Sequence, residues 1–327
     1  MSDEYKYAGY PSAKVYDADG NEIHHLLWGD WVAIKDQAAG NGLVPVKVRG
    51  TEGFMRESDL QTERLLEIVF VDVGQGDGCL LVTPDDRKLV IDAGIADNMY
   101  RFLSWRFNFR GDVRTLDAAL ITHPDKDHYG GFSKFFGEHS NVRFKKIYHN
   151  GIMEQYPKDK PFGPDVLEGN VKYITMPLVT QSDLEVFLSD PSRYKKKLYP
   201  NLLKNALSKV EAGGNNICML TAGADPSKPV YVEGFEQDKQ LRLRVLGPVL
   251  KPDSTGKPRL RWFRENPSGG TWNTGKTKNG NSIILKLEYK DVSVLLGGDL
   301  NSSAEAFLMQ HYTGQPWPPE NSNVEKT

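Results

Sequence analysis

The chain has 327 residues, of which 39% are apolar and 26% are charged, a balance that predicts a globular protein and excludes a disordered or fibrous one. The 41 lysines and arginines nearly balance the 43 aspartates and glutamates, so net charge favours no class of partner. The 2 cysteines exclude a disulfide framework or a thiolate zinc cage. No apolar stretch approaches the roughly 18 residues of a membrane span, and the acidic N-terminus lacks a secretory signal, so we expect a cytoplasmic protein.

Residues 12–60 contain short strand-like runs separated by closely spaced turns, a pattern that predicts a small β-barrel. A Gly-Asp pair, Gly29 and Asp30, precedes a central strand, and a Gly-aromatic pair at 53–54 is followed by Asp-Leu at 59–60. In these features the segment resembles bacterial SH3-like domains. We expect such a barrel at residues 1–62. A strand-rich extension that packs on the main domain is the alternative.

From residue 65 onwards, buried-strand patterns alternate with helical ones, which predicts a layered α/β domain over residues 63–327. The expected strands are residues 66–73, 80–83, 88–92, 116–122, 281–287 and 292–296, and the expected helices are residues 98–107 and 302–311. Residues 150–240 are rich in proline, glycine and lysine, and we expect them to form insertions over the core.

Residues 123–128 hold two imidazoles and two carboxylates directly after a predicted strand. Side chains on such a loop can converge on one point, and imidazole and carboxylate ligands suit zinc and manganese. A charged surface turn is the alternative interpretation, since aspartate and lysine are common in turns. Two histidines alternating with aspartates at a strand end favour a metal site, with His123, Asp125, Asp127 and His128 as the candidate ligands.

This motif resembles that of the metallo-β-lactamase superfamily, which carries His-x-His-x-Asp-His at the end of a strand. Asp125 at the position of the second histidine is similar to the ComEC-type branch, which includes the hydrolase domain of bacterial DNA-uptake channels. Further segments that resemble this branch, in its order, are residues 71–78, 90–94, 129–131, 241–248, 281–285 and 295–299. The resemblance implies an αββα sandwich.

The resemblance also implies a site for up to two divalent ions, zinc or manganese. His123 and Asp125 would hold one ion, Asp127 and His128 would complete the second site, and Asp299 would bridge them.

Three further positions receive supporting roles from the resemblance. Asp92 would orient the ligand loop. Asp77 would approach the site or cap a helix, and Asn281 stands where other members have a metal-binding histidine.

One departure from the branch concerns its final His-His-Gly-Ser segment, which we do not find after Asp299. His311 lies on a predicted helix and is not accepted as a replacement, and the prolines at 316, 318 and 319 cannot form a strand ladder. We therefore expect the last strand and helix of the sandwich to be missing. Either the natural chain is longer or a protein partner completes the fold, and a site without this imidazole binds metal more weakly.

Basic and aromatic residues in the second half of the chain suit phosphate contacts and base stacking. The candidate nucleic-acid contacts are Arg242, Arg244, Arg259, Arg261 and Trp262. A solvated surface that balances acidic regions elsewhere is the alternative.

His149, Cys79 and Cys218 match no ligand spacing. We expect a structural histidine and two small core residues rather than ligands or nucleophiles.

Together these features favour metal-dependent hydrolysis of a phosphodiester, with DNA as the substrate, a metal-activated water as the nucleophile, and Asp127 and His128 at the catalytic centre. One alternative is a hydrolase similar to phosphorylcholine esterases of cell-wall polymers. The other is a metal-poor domain that binds a partner or nucleic acid without hydrolysing it.

Overall fold

The computed structural model describes residues 4–35, 42–109, 111–267 and 269–315. Within these ranges the chain forms two compact units. One unit comprises the residues up to Ile68 together with Val82–Arg87, and the other comprises Val69–Leu81 and the residues from Lys88 onwards. The prolines at 316–319, which we expected to exclude a closing strand, lie outside the described ranges.

The N-terminal unit is built from short strands, as the turn spacing predicts. Its elements are β1 (Glu4–Ala8), β2 (Ser12–Tyr16), β3 (Glu22–Leu27), β4 (Trp31–Ile34), β5 (Leu43–Val48), β6 (Thr51–Arg56), a 3-10 helix (Glu57–Asp59) and β7 (Leu60–Gln61). The strands form one antiparallel sheet in the order β3-β2-β6-β5-β4-β1-β7. Alternate side chains of these strands, among them Val15, Val46 and Met55, form its hydrophobic core.

The remaining strands are β8 (Glu67–Phe70), β9 (Gly78–Val82), β10 (Lys88–Ala93), β11 (Arg114–Leu120), β12 (Val142–His149), β13 (Asp165–Glu168), β14 (Val171–Ile174), β15 (Ile217–Met219), β16 (Val230–Tyr231), β17 (Leu241–Gly247), β18 (Leu260–Arg261), β19 (Arg264–Asn266), β20 (Gly269–Trp272), β21 (Ile284–Tyr289) and β22 (Val292–Leu296). The helices are α1 (Asn98–Phe107), α2 (Lys126–Tyr129), α3 (Phe132–Phe135), α4 (Gln181–Leu188), α5 (Leu198–Ala206), α6 (Thr274–Gly280) and α7 (Ser302–Thr313), with 3-10 helices at Pro191–Arg193 and Leu207–Lys209.

Two larger sheets organise this part of the chain. The first has the order β15-β12-β11-β10-β9-β8, and β10, β11, β12 and β15 run parallel. The second is antiparallel, with the order β16-β17-β21-β22. Smaller sheets join β13, β14 and β18, and β19 with β20. The mixed α/β architecture predicted from the sequence is confirmed.

The burial of each sheet follows its sequence pattern. Every residue of β9 is buried, as are the last five residues of β10, which matches the near-continuous apolar runs of a sheet covered on both faces. In β17, buried and half-buried residues alternate strictly, so one face of the second sheet packs inward. No helix within the described ranges is long and apolar enough to cross a membrane.

The expected elements agree with the structure in most places. The helix at 98–107 and the strand at 292–296 have the expected bounds, and the last helix extends two residues beyond the expected end, to Thr313. The strand expected at 66–73 is shorter in the structure, where β8 ends at Phe70. It ends there because the Asp72 carboxylate accepts a hydrogen bond from the Gly74 amide and starts a turn.

The strand expected at 281–287 is wrong at its beginning, since β21 starts at Ile284 and Asn281 instead ends helix α6. The Asn273 side chain caps this helix by accepting a hydrogen bond from the Lys276 amide. At the other end, the Asn281 side-chain amide donates to the carbonyls of Thr277 and Arg261. Local polar side chains therefore stabilise a helix that its two glycines disfavour.

Candidate metal centre

The candidate site lies where parallel strands β10 and β11 end beside each other. Ile91 pairs with Leu120 in this ladder, Asp92 follows Ile91 in β10, and His123 follows β11 by three residues. The carboxyl ends of parallel strands meet at one sheet edge, where α/β proteins place their sites. Helix α2 begins directly after Asp125 and adds His128.

Asp92 is the central acceptor of this region. Its carboxylate accepts hydrogen bonds from the Thr122 backbone amide at 2.8 Å, from the Thr122 hydroxyl at 2.6 Å and from His128 Nδ1 at 2.8 Å. The residue is buried, and its backbone has a φ of 53°, in the left-handed region that few non-glycine residues adopt. The hydrogen bond from Nδ1 fixes the position of the His128 ring.

The same contacts fix which nitrogen of each imidazole faces the site. The Thr122 hydroxyl has one proton, which it donates to Asp92, so it accepts from His123 Nδ1 at 3.0 Å. His123 Nε2 is then the ring atom that faces the site, and it is buried without a hydrogen-bond partner among the described residues. Since His128 Nδ1 donates to Asp92, the Nε2 atom of that ring faces Asp299. A buried unpaired nitrogen is unfavourable unless a ligand binds it.

Two carboxylates face these nitrogens. His128 Nε2 lies 3.2 Å from Asp299, and His123 Nε2 lies 3.8 Å from Asp299 and 3.4 Å from Asp125. Ligand atoms of His123, His128 and Asp299 lie within 4.8 Å of one another, and so do those of Asp77, Asp92 and His128. Nitrogen and oxygen donors at this spacing fit a divalent ion, which these side chains could hold together.

The charges of the site shift two pKa values strongly. Burial disfavours the charged form of His128, but the hydrogen bond to Asp92 and the nearby carboxylates outweigh it and raise the pKa of His128 to about 9. Burial likewise favours the neutral form of Asp125, but contacts with His123 and Lys278 outweigh it and lower the pKa of Asp125 to about 2. Burial raises the pKa of Asp77. Asp125 is therefore fully ionised at neutral pH and available to a cation.

Helix α6 supplies two residues that the sequence analysis missed. The Lys278 ammonium donates to the Asp125 carboxylate and lies 3.8 Å from Glu154. The Asn279 side-chain amide donates to Asp299 at 3.0 Å. Neither residue belongs to a recognisable motif, and their distance in sequence from residues 123–128 hides the contact. Only the fold reveals that α6 borders the site.

The expected ligand Asp127 is placed differently from His123 and His128. Its carboxylate accepts a hydrogen bond from the Gln75 side chain at 3.2 Å, and Asp127 is in neither three-residue group. Its carbonyl oxygen is close to Gly76, where a Cβ atom would lie 1.7 Å from it, and Gly76 has a φ of 82°. The glycine loop at 74–78 thus packs against the ligand loop at Asp127, and Gly76 is required there.

The other expected supporting residue, Asn281, donates its side-chain amide to two backbone carbonyls, and its own carbonyl accepts from Asn150. Its contacts therefore connect the end of α6 to strand β18 and to the residue that follows β12.

The five candidate nucleic-acid contacts have different environments. Arg242 lies 3.7 Å from Glu288, Arg244 stacks on Tyr312, and Arg259 pairs with Glu168 and stacks on Tyr173. Trp262 is only 4% exposed. Arg261 has no carboxylate partner among the described residues, and it lines a cavity with Trp262.

Three residues that we expected to be structural are buried. Burial raises the pKa of Cys79 to about 12 and also raises that of Cys218, so neither is a thiolate at neutral pH. His149 accepts a hydrogen bond from the Gly151 amide through Nδ1, and burial lowers the pKa of His149 to about 4.

Residues 75–199 match the family model of the metallo-beta-lactamase superfamily. No curated protein matches the chain significantly. The matched segment contains His123, Asp125 and His128 and ends before Asp299. This segment is therefore similar to the metallo-beta-lactamase superfamily, as the sequence resemblance predicts. This superfamily consists largely of metal-dependent hydrolases, and its members typically bind divalent metals.

Proposed function

We propose that the chain is a metal-dependent phosphodiester hydrolase that acts on DNA. One observation carries the proposal: His123 and His128 direct their Nε2 atoms towards Asp299, in a group whose ligand atoms lie within 4.8 Å of one another. The imidazoles are held by Thr122 and Asp92, so their orientation does not depend on a bound ion. Such preorganisation is typical of metal sites whose ligands are hydrogen-bonded from behind.

The proposed ligands are His123, Asp125, Asp127, His128 and Asp299, for up to two ions of zinc or manganese. A bound divalent ion acts as a Lewis acid on the phosphate and lowers the pKa of a water molecule. The protein's part is to hold the ligands, to keep Asp125 ionised, and to offer the Lys278 ammonium at the edge of the site. A cation at this position favours a phosphate over a neutral substrate.

Two finer assignments belong to the same proposal. We assign the domain to the ComEC-type branch, supported by Asp125 within residues 123–128 and by the glycine loop that packs on Asp127. We also propose an SH3-like domain at residues 1–62 and a hydrolase domain at 63–327. The short antiparallel strands and separate apolar core of the N-terminal unit support this division.

The direct test is a nuclease assay on single-stranded and duplex DNA with added manganese or zinc. We expect cleavage by the native chain and loss of cleavage on His123→Ala and on the double change Asp127→Ala with His128→Ala. His139→Ala is the matched control, because His139 is exposed and belongs to neither group of possible metal ligands. Cleavage that survives the double change contradicts the proposed ligand set.

One observation favours the second candidate, a metal-poor domain that binds without hydrolysis. The Lys278 ammonium already neutralises Asp125, and a cation bound to that carboxylate competes with a metal ion. Elemental analysis separates the two candidates. A hydrolase contains at least about one ion per chain after purification, whereas a binding domain contains well under one.

A further inference from the structure

A cavity of about 460 Å³ lies beside helix α6, in the range of cavities that bind small molecules. Its lining includes Asn170, Arg261, Trp262, Arg264, Asn266 and Trp272. None of the described lining residues carries a carboxylate, and two carry a guanidinium. The cavity therefore favours an anionic ligand.

Arg261 is the main evidence for that ligand. Its guanidinium stacks on Phe307 at 4.9 Å, and among the described residues it makes neither an ion pair nor a hydrogen bond. Burial lowers the pKa of Arg261, which shows that its charged form is partly withdrawn from water. The Arg261 guanidinium has no buried, unpartnered nitrogen and is open to the cavity, where a phosphate can accept two parallel hydrogen bonds from it.

The second feature of the cavity is a flat aromatic surface. Arg264 lies over the Trp272 ring at 4.1 Å and is held there by a hydrogen bond to the Gly270 carbonyl. Guanidinium planes and indole rings both stack on nucleobases. The side-chain amides of Asn170 and Asn266 add donors and acceptors for a base edge.

Helix α6 connects this cavity to the candidate metal centre. On one side, Lys278 and Asn279 contact Asp125 and Asp299. On the other side, the Thr277 hydroxyl accepts from the Phe263 amide, and Asn281 donates to the Arg261 carbonyl. A strand of nucleic acid with one phosphate at the metal centre can thus place another nucleotide near the same helix.

We propose that this cavity binds one nucleotide unit of a single-stranded DNA substrate, with Arg261 on the phosphate and the Arg264–Trp272 layer against the base. This inference deepens the proposed function and rests on it only for the identity of the strand. Arg242, Arg244 and Arg259 do not line the cavity and are not part of this subsite.

The test measures binding without hydrolysis. The full chain, kept in EDTA, is titrated into a fluorescein-labelled single strand of about 12 nucleotides, and the anisotropy gives the affinity. Deoxyadenosine monophosphate, deoxyadenosine and inorganic phosphate then compete separately. We expect the monophosphate to compete at least about tenfold better than either fragment, because only it fills both halves of the cavity.

Variants separate the two halves. Arg261→Gln is expected to weaken strand binding about tenfold and to reduce the slope of log affinity against log salt by about 0.7, the value for one phosphate contact on a single strand. Trp272→Leu is expected to weaken binding roughly 5- to 150-fold with an unchanged salt slope. Arg101→Gln is the matched control, since Arg101 is exposed on helix α1 and does not line the cavity, and it should change affinity less than about twofold.

The inference is overturned if Arg261→Gln binds like the native chain, or if Arg101→Gln weakens binding as much. Should Arg261→Gln fail to fold, Arg261→Lys, which keeps the charge but loses the paired hydrogen bonds, takes its place with Trp272→Leu. The outcome is independent of catalysis. Binding at the cavity without any cleavage contradicts only the proposed hydrolase, and cleavage with native binding in both cavity variants contradicts only the subsite.

Discussion

The candidate metal centre has two halves that are held in different ways. The strand-held half consists of Asp92, Thr122 and His123, at the ends of β10 and β11, together with His128 of α2, which Asp92 holds, and all four residues are buried. The helix-held half consists of Asp125 and Asp299, whose side chains are 25% and 40% exposed and contact Lys278 and Asn279. The first half has its orientation fixed by buried hydrogen bonds, whereas water can replace partners in the second. The difference indicates a rigid imidazole pair opposed by adjustable carboxylates.

The largest effect is expected from removing Asp92, the acceptor that supports the strand-held half. Asp92→Ala leaves the Thr122 amide, the Thr122 hydroxyl and His128 Nδ1 buried without their acceptor. We expect a loss of about 3–5 kcal/mol in the free energy of unfolding, measured with urea in EDTA. Asp291→Ala, at an exposed turn, should stay within about 0.5 kcal/mol. A loss below about 1 kcal/mol for Asp92→Ala would show that the network is dispensable.

The next largest effect is a dependence of stability on pH, caused by a buried imidazole at the end of β12. His149 ends β12, and its pKa is about 4 in the folded chain against an ordinary 6.5. Between these pH values the unfolded chain binds a proton that the folded chain does not, so stability falls as pH decreases from about 6.5 to about 4, by about 3 kcal/mol in total. His149→Asn keeps an acceptor for the Gly151 amide and does not titrate. The difference in stability between the native chain and this variant should therefore change with pH across that window; a constant difference refutes the shift.

The helix-held half is expected to respond more weakly and in the opposite direction. Lys278→Met removes the ammonium that neutralises Asp125, so a metal ion meets less repulsion. We expect manganese or zinc to bind up to about tenfold more tightly, measured by calorimetry. Lys278→Arg retains the charge and should retain the native affinity, and Lys290→Met, at an exposed turn, controls for the loss of one positive charge. Weaker metal binding by Lys278→Met would mean that Lys278 supports the ligands.

The smallest expected effect concerns Asn279. Asn279→Ala removes one hydrogen bond to Asp299, a carboxylate that water can reach. We expect a change of about 1 kcal/mol or less in the free energy of unfolding. We expect a change of about 1 kcal/mol or less also in the free energy of metal binding, which is about fivefold or less in metal affinity. Asn141→Ala, which removes an exposed amide contact with the Gly111 carbonyl, is the control for stability. A loss as large as that of Asp92→Ala would remove the distinction between the two halves.

The contrast between the halves also explains what the sequence could predict. Residues 123–128 and Asp92 are close to strands with strong apolar patterns, so their convergence at a sheet edge followed from the motif and its resemblance. Helix α6 has two glycines and little apolar periodicity, and its fold depends on the Asn273 cap and on Asn281. The contacts of Lys278 and Asn279 thus depend on tertiary structure, which a pattern of single residues does not encode.

The cavity residues also show what a sequence pattern cannot predict. Arg261 and Trp262 were candidate contacts because the segment is basic and aromatic, but the sequence gives no reason to separate Arg261 from Arg242 or Arg259. The separation depends on Glu288 and Glu168, which lie far along the chain and pair with two of the three guanidiniums. Trp272 carried no signal beyond its residue type, and only the position of Arg264 over its ring marks it.

The left-handed backbone of Asp92 has a consequence for how this protein can change over generations. Position 92 must satisfy two independent demands: a φ of 53° and a charged acceptor for Thr122 and His128. Asparagine tolerates the backbone but lacks the charge, glutamate has the charge but tolerates the backbone poorly, and glycine meets only the first demand. No single replacement meets both. Genetic drift therefore has no neutral step at this position, and any lineage that loses this aspartate must rebuild the neighbouring imidazole by other means or abandon the site.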